Sequence, residues 1–150
     1  MMNFAVLSIL FLFLTGWAQQ SCDSKDVALS HEFKLKVGQE TRIKDAGIKV
    51  SLDGVVEDSR CPTGTQCIWA GNGKVSVKLS REKSETVAVE LNTSAGPKSS
   101  TYQGYEVRLV SLDPYPKGGS NIAKDAYVVT LMVCKNCGAQ DDAPQGSEKQ

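Results

Sequence analysis

The chain has 150 residues with 17 basic and 17 acidic side chains, a formal net charge of zero and a pI near 6.6. This is the size of one ordinary domain. Charges of both signs are interleaved along it, so the basic stripe of a nucleic-acid binder is missing and nucleic acid is excluded as principal ligand.

Residues 1–18 carry no charge and hold fourteen apolar residues. The run from Phe4 to Leu14 has the length of a signal-peptide core and is short for a bilayer span, so residues 1–18 read as a signal peptide. Gly16-Trp17-Ala18 fits the small-x-small cleavage rule and predicts a mature start at Gln19. The product is then exported, secreted or periplasmic. Cys22 adds a second route: it sits where bacterial lipoproteins carry their acylated cysteine, and a lipid on Cys22 would tether the chain to the membrane of the cell envelope. Residues 19–30 form a polar N-terminal segment. About 132 residues remain after the signal, enough for one core, and with few large side chains Trp69 and the tyrosines are expected to carry much of the packing.

From residue 31 to 137 the pattern is that of strands. Apolar residues alternate with polar ones at Phe33-Leu35-Val37, Ile48-Val50-Leu52 and Val75-Val77-Leu79, and further runs follow at 87–91, 105–109 and 127–133. Asp53-Gly54, Asn72-Gly73, Gly96-Pro97, Asp113-Pro114 and Gly118-Gly119 separate them. Connections are too short for crossover helices. The expected fold is all-β, a single antiparallel β-sandwich of immunoglobulin-like type with seven to eight short strands, with a small β-barrel as the alternative. Residues 138–150, without a large apolar side chain, read as a disordered polar tail.

Five cysteines fall as Cys22, the pair Cys61 and Cys67, and the pair Cys134 and Cys137. In an oxidising compartment close pairs read as disulfides. A lipidated Cys22 leaves the other four to pair evenly; otherwise Cys22 pairs with Cys134, Cys137 or another chain. The first pair encloses Pro62 and Gly64, which supply turn chemistry. A disulfide there holds Arg60, Pro62, Thr63, Gly64, Thr65, Gln66 and Trp69 as a preorganised binding loop. The favoured reading of the same ring is structural: a staple between two strands with Trp69 folded beneath it as core.

The block Asp58-Ser59-Arg60-Cys61-Pro62, continuing through Gly64 and Cys67 to Trp69-Ala70-Gly71, resembles a segment D-S-R-C-P-x-G-x-x-C-x-W-A-G of uncharacterised bacterial exported proteins and lipoproteins. A second similar segment runs from Thr101 to Val110 and on through Leu112 to Pro116. The resemblance covers roughly residues 33–133 and implies an exported all-β domain. It implies no reaction and transfers no catalytic residue.

Cys134-Lys135-Asn136-Cys137 has the C-x-x-C spacing of thiol exchange and of metal knuckles, but follows a strand and lacks a helix after it. A four-cysteine zinc site from Cys61, Cys67, Cys134 and Cys137 is a further arrangement to test. Hydrolytic chemistry has one imidazole to draw on, His31, and no nucleophile elbow. Gly71-Asn72-Gly73-Lys74 reads as a turn rather than a phosphate loop. Asn92-Thr93-Ser94 matches a glycosylation acceptor. The expectation is a non-enzymatic exported binding or structural module of the cell envelope or its exterior, with no cofactor and no metal. Its partner is expected to be another extracytoplasmic protein. Two alternatives accompany it: a hydrolase (protease) inhibitor presenting residues 60–66, and a thiol-redox or metal-binding protein using Cys134 and Cys137.

Overall fold

The computed structural model describes residues 26–118, 121–135 and 137. The segments expected to be a signal peptide and a polar tail, and Cys22, lie outside these residues. Nine strands run in the order β1 (Asp26–Val27), β2 (Glu32–Lys36), β3 (Glu40–Ile43), β4 (Ile48–Asp58), β5 (Gly73–Arg81), β6 (Val87–Asn92), β7 (Ser99–Tyr102), β8 (Tyr105–Asp113) and β9 (Val128–Cys134), with one 3-10 turn at Lys124–Ala126. They form two sheets, β1-β3-β4-β5-β6 and β2-β9-β8-β7. The fold is therefore all-β, a two-sheet sandwich and not a closed barrel. All pairings are antiparallel except β1 with β3. Strands β3 to β6 are successive neighbours in one sheet; the chain then crosses to the other and continues through β7, β8 and β9.

Alternation explains the burial. Phe33 and Leu35 on β2, Ile48, Val50 and Leu52 on β4, Val75, Val77 and Leu79 on β5, and Val129, Leu131 and Val133 on β9 all point between the sheets, while the residues between them mostly face outward. A register shift between Leu109 and Ser111 lets both Leu109 and Leu112 face the core from β8. Thr130 is buried on the other side of β9, and the Ser111 hydroxyl donates to its Oγ1 at 3.0 Å. Strand β2 is a sheet edge, and its outward Glu32, Lys34 and Lys36 guard that edge against pairing with another chain.

The core is aliphatic. Phe33, Tyr102 and Tyr127 are its only buried aromatics among the described residues. Trp69, expected beneath its loop as core, is 81% exposed. The reason is position: the β4–β5 hairpin carries residues 59–72 past the last paired residues of its strands, Asp58 and Gly73, and so beyond the apolar layer between the sheets.

Candidate functional site

The hairpin tip is built outward from its base. Beyond Asp58 and Gly73 the ladder persists without a regular strand: Ser59 N donates to Asn72 O at 2.7 Å and Cys61 N to Ala70 O at 2.9 Å. Cys61 and Cys67 form a disulfide with Cα atoms 5.9 Å apart. Within the ring Thr65 N donates to Pro62 O, and Gly64 takes a positive φ of 79° that an L side chain resists. Thr63 N donates to Pro116 O at 2.9 Å and Thr63 pairs in parallel with Lys117, so one flank of the ring lies against the segment after β8.

Two polar clamps hold the base. In the first, the side chains of Arg60 and Asp58 are 5% and 7% exposed. Arg60 Nε donates to Asp58 Oδ1 and Nη2 to Oδ2, both at 2.7 Å, a bidentate pair. Its remaining donors reach the carbonyls of Leu112 and, at 2.9 Å, Pro114 on the opposite sheet. The Tyr127 hydroxyl donates to Asp58 Oδ2 at 3.0 Å, and the Tyr115 ring lies 5.0 Å from the guanidinium carbon. Thus the end of β4 is bolted to the ends of β8 and β9. Arg60, grouped with the binding loop in the sequence reading, serves its foundation: its guanidinium is held from within by Asp58, two carbonyls and the Tyr115 ring.

The second clamp is neutral. Asn72 Nδ2 donates to Asn92 Oδ1 at 2.8 Å, while Asn72 Oδ1 accepts from Ser94 N at 3.2 Å and Ala95 N at 3.3 Å. Gly73 N donates to Thr93 Oγ1 at 2.8 Å. This ties the returning arm of the hairpin to the turn after β6. Asn92 is buried and its amide also donates to Pro97 O, so the glycosylation acceptor of the sequence is inaccessible in the folded domain.

Between the clamps stands an uncharged tip. No Lys, Arg, Asp or Glu occurs from Cys61 to Gly73, in a chain with 34 such residues. Thr63, Gly64, Thr65 and Gln66 are exposed, Pro62 is half-buried, and Ile68 and Trp69 stand 92% and 81% exposed. An adjacent isoleucine and tryptophan in water are costly to solvate, at about 25 cal/mol per Å² of apolar surface. Ile68 was not singled out by sequence reasoning. Its adjacency to Trp69 after a ring-closing cysteine is the signal that could have marked it.

Charge at the base is pH-sensitive. Burial pushes the Asp58 carboxyl up, but the Arg60 hydrogen bonds and charge and the Tyr127 hydroxyl outweigh it and hold the group below its ordinary value. Hydrogen bonding to Asp58 raises Arg60 against the opposing effect of burial. Burial first and Asp58 second raise the Tyr127 phenol. A depressed carboxyl contributes stability above its unfolded pKa, about 3.9, and loses it as pH falls through the lower folded value. The raised Tyr127 contributes below its unfolded value, about 10, and that is lost as pH rises beyond it. Accordingly, the difference in melting temperature between wild type and Asp58→Asn should shrink steadily as pH drops below about 4. A difference that stays constant from pH 6 to pH 2 is incompatible with the clamp as described.

Elsewhere, His31 is exposed and its Nδ1 lies 2.9 Å from the Leu29 carbonyl. It borders an open groove of 770 Å³ between β1, β2 and β3, with Phe33, Leu35 and Gln39. Cys134 and Cys137 form the second disulfide, Cα atoms 5.6 Å apart. The two cysteine pairs do not converge: among the described residues, the metal-capable group containing Cys134 and Cys137 includes Glu106 but neither Cys61 nor Cys67. The four-cysteine zinc site is therefore not formed.

No protein-family model, curated protein or solved structure matches the chain.

Proposed function

We propose that the chain is an exported, non-enzymatic binding module that engages another extracytoplasmic protein through the β4–β5 hairpin tip, residues 61–69, with Ile68 and Trp69 as its anchors. The observation that carries this reading is the exposure of those two side chains on a loop held by a disulfide, a continued ladder and two clamps. A tip already in one shape avoids most of the ordering cost of binding, and a solvent-facing Trp beside Ile is the type of anchor that fills a partner's pocket. The neutral tip suits an apolar cleft and offers nothing to phosphates or anionic lipid. The most strongly perturbed carboxylate, Asp58, is saturated by Arg60 and Tyr127, which supports a structural and not a catalytic role. Inhibition of a hydrolase is the narrower form of the same reading, the tip then sitting in an enzyme's cleft.

The test is a photo-crosslinking residue at exposed Gln66 in the host cell. One heterologous adduct is expected, absent from the same chain carrying Ile68→Ser and Trp69→Ala. Those two changes should move stability by less than about 0.5 kcal/mol, since neither side chain is buried. No adduct, an adduct that survives the double substitution, or an adduct only with a second copy of this chain overturns the proposal. Identification of the adduct as a hydrolase, with its activity lowered by the purified protein, selects the narrower form.

A further inference from the structure

The C-x-x-C pair has a neighbour that its spacing does not reveal. Glu106 on β8 is paired in register with Cys134 on β9, so their side chains emerge side by side, and the disulfide places Cys137 beside them. One carboxylate oxygen of Glu106 and the two sulfurs all lie within 4.8 Å of one another. Arg108 donates to Glu106 Oε1 from Nη2 at 3.1 Å and from Nε at 3.3 Å, and its Nη2 reaches the Cys137 carbonyl at 3.5 Å. Cys134 is 4% exposed; Cys137, Glu106 and Arg108 are half-buried.

We propose that Glu106, Cys134 and Cys137 form a binding site for a soft divalent cation of the zinc class, of which the Cys134–Cys137 disulfide is the oxidised, closed form. The donor chemistry is right: two thiolates and a carboxylate occupy three corners of a tetrahedron and leave the fourth, on the half-buried side, to water. Two residues between the cysteines is the knuckle spacing of zinc sites, which the five between Cys61 and Cys67 exceed. With metal–ligand bonds of about 2.0 to 2.3 Å, tetrahedral donors sit about 3.5 to 3.8 Å apart, so the Glu106 oxygen must draw in by no more than about 1.3 Å, while the two sulfurs, released from a bond of about 2 Å, must part by about 1.7 Å. Charge also balances. Two thiolates and a carboxylate total three negative charges, Arg108 supplies one positive charge and a divalent ion two, leaving the site neutral. Arg108 in addition holds the carboxylate in orientation, as the outer partners of metal ligands do.

Opening the site takes a reductant. A dithiol transfers two electrons and two protons to the disulfide, becoming a cyclic disulfide itself and leaving Cys134 and Cys137 as thiols. The cation then displaces both thiol protons to solvent as the two metal–sulfur bonds form.

The test uses the purified protein with Cys22→Ser, reduced by a phosphine that does not compete for metal, and titrated with Co²⁺ and Cd²⁺. The expected result is one equivalent bound per chain, with thiolate-to-metal charge-transfer absorption and the visible bands of tetrahedral cobalt. The same protein left oxidised should show none. Cys61→Ser with Cys67→Ser should retain the signal, Cys134→Ser should abolish it, and Glu106→Gln should weaken binding at least about tenfold. Circular dichroism of each variant before titration confirms that it is folded. The proposal fails if the reduced protein forms no one-to-one complex, if the complex depends on Cys61 and Cys67, or if folded Glu106→Gln binds as tightly as wild type.

Discussion

Asp58→Asn should destabilise the domain by about 3 to 5 kcal/mol, the cost of leaving one member of a buried ion pair uncompensated. For a domain of this size that is a fall in melting temperature on the order of 10 to 20 °C. Arg60 would remain with its side chain 5% exposed, its charge facing a neutral amide that offers one acceptor oxygen where the carboxylate offered two. The Tyr127 hydroxyl would also lose a charged acceptor. Arg60→Met should cost about as much for the complementary reason: Asp58 stays charged and buried, and the carbonyls of Leu112 and Pro114 lose their donor. Combining Asp58→Leu with Arg60→Met separates ion-pair energy from packing. An apolar pair can replace buried charges at little cost, so the double variant should recover much of the loss, short of what the two orphaned carbonyls retain. Thermal unfolding of wild type and the three variants makes the comparison. Single variants melting within about 2 °C of wild type would show that this pair does not hold the two sheets together.

The same pair shows what could be read from residues alone. The long strands were legible, because β2, β4, β5, β8 and β9 each bury mostly alternate apolar residues, and a sandwich follows from such runs joined by short turns. Strands β1, β3 and β7 were not. Asp26–Val27 is too short for any period, Glu40–Ile43 buries a threonine and an isoleucine, and Ser99–Tyr102 has one apolar side chain; each owes its pairing to a neighbour already in place. Trp69 was misread because the rule that large aromatics fill cores takes no account of how far a hairpin projects beyond its sheet. The role of Arg60 was half visible. In extended chain, residues 58 and 60 share a face, which brings Asp58 and Arg60 together, but nothing local announces the carbonyls of Leu112 and Pro114, more than fifty positions away. Glu106 was hidden from the C-x-x-C motif in the same manner, since only the β8–β9 register places it opposite Cys134.

Gly71→Ala is the sharpest single test of the tip as a preformed element. Gly71 has a φ of +72°, where an alanine costs about 1 to 2 kcal/mol by its conformation alone. Space adds a harder constraint. A Cβ there would lie 1.8 Å from the Ser59 carbonyl oxygen and 2.8 Å from the Arg60 Cα, and these are main-chain atoms of the facing arm, not the end of a side chain that can swing aside. The two arms must therefore separate. Separation removes the bonds from Ser59 N to Asn72 O and from Cys61 N to Ala70 O, each worth about 1 kcal/mol, and pulls Ser94 Oγ away from the Gly71 carbonyl. The total should be about 3 to 4 kcal/mol. The Cys61–Cys67 ring would survive, because the disulfide lies wholly on one side of the break. The variant thus keeps the loop closed but unseats it, which distinguishes the ring from its placement. Amide exchange at Ser59 and Cys61 should accelerate strongly while Leu79 and Leu131 in the core stay protected, and crosslinking from Gln66 should fall to background. Unchanged protection at Ser59 and Cys61, with a melting temperature equal to wild type, would mean that the arms are not held at this distance in solution and that the tip is ordered by its partner instead.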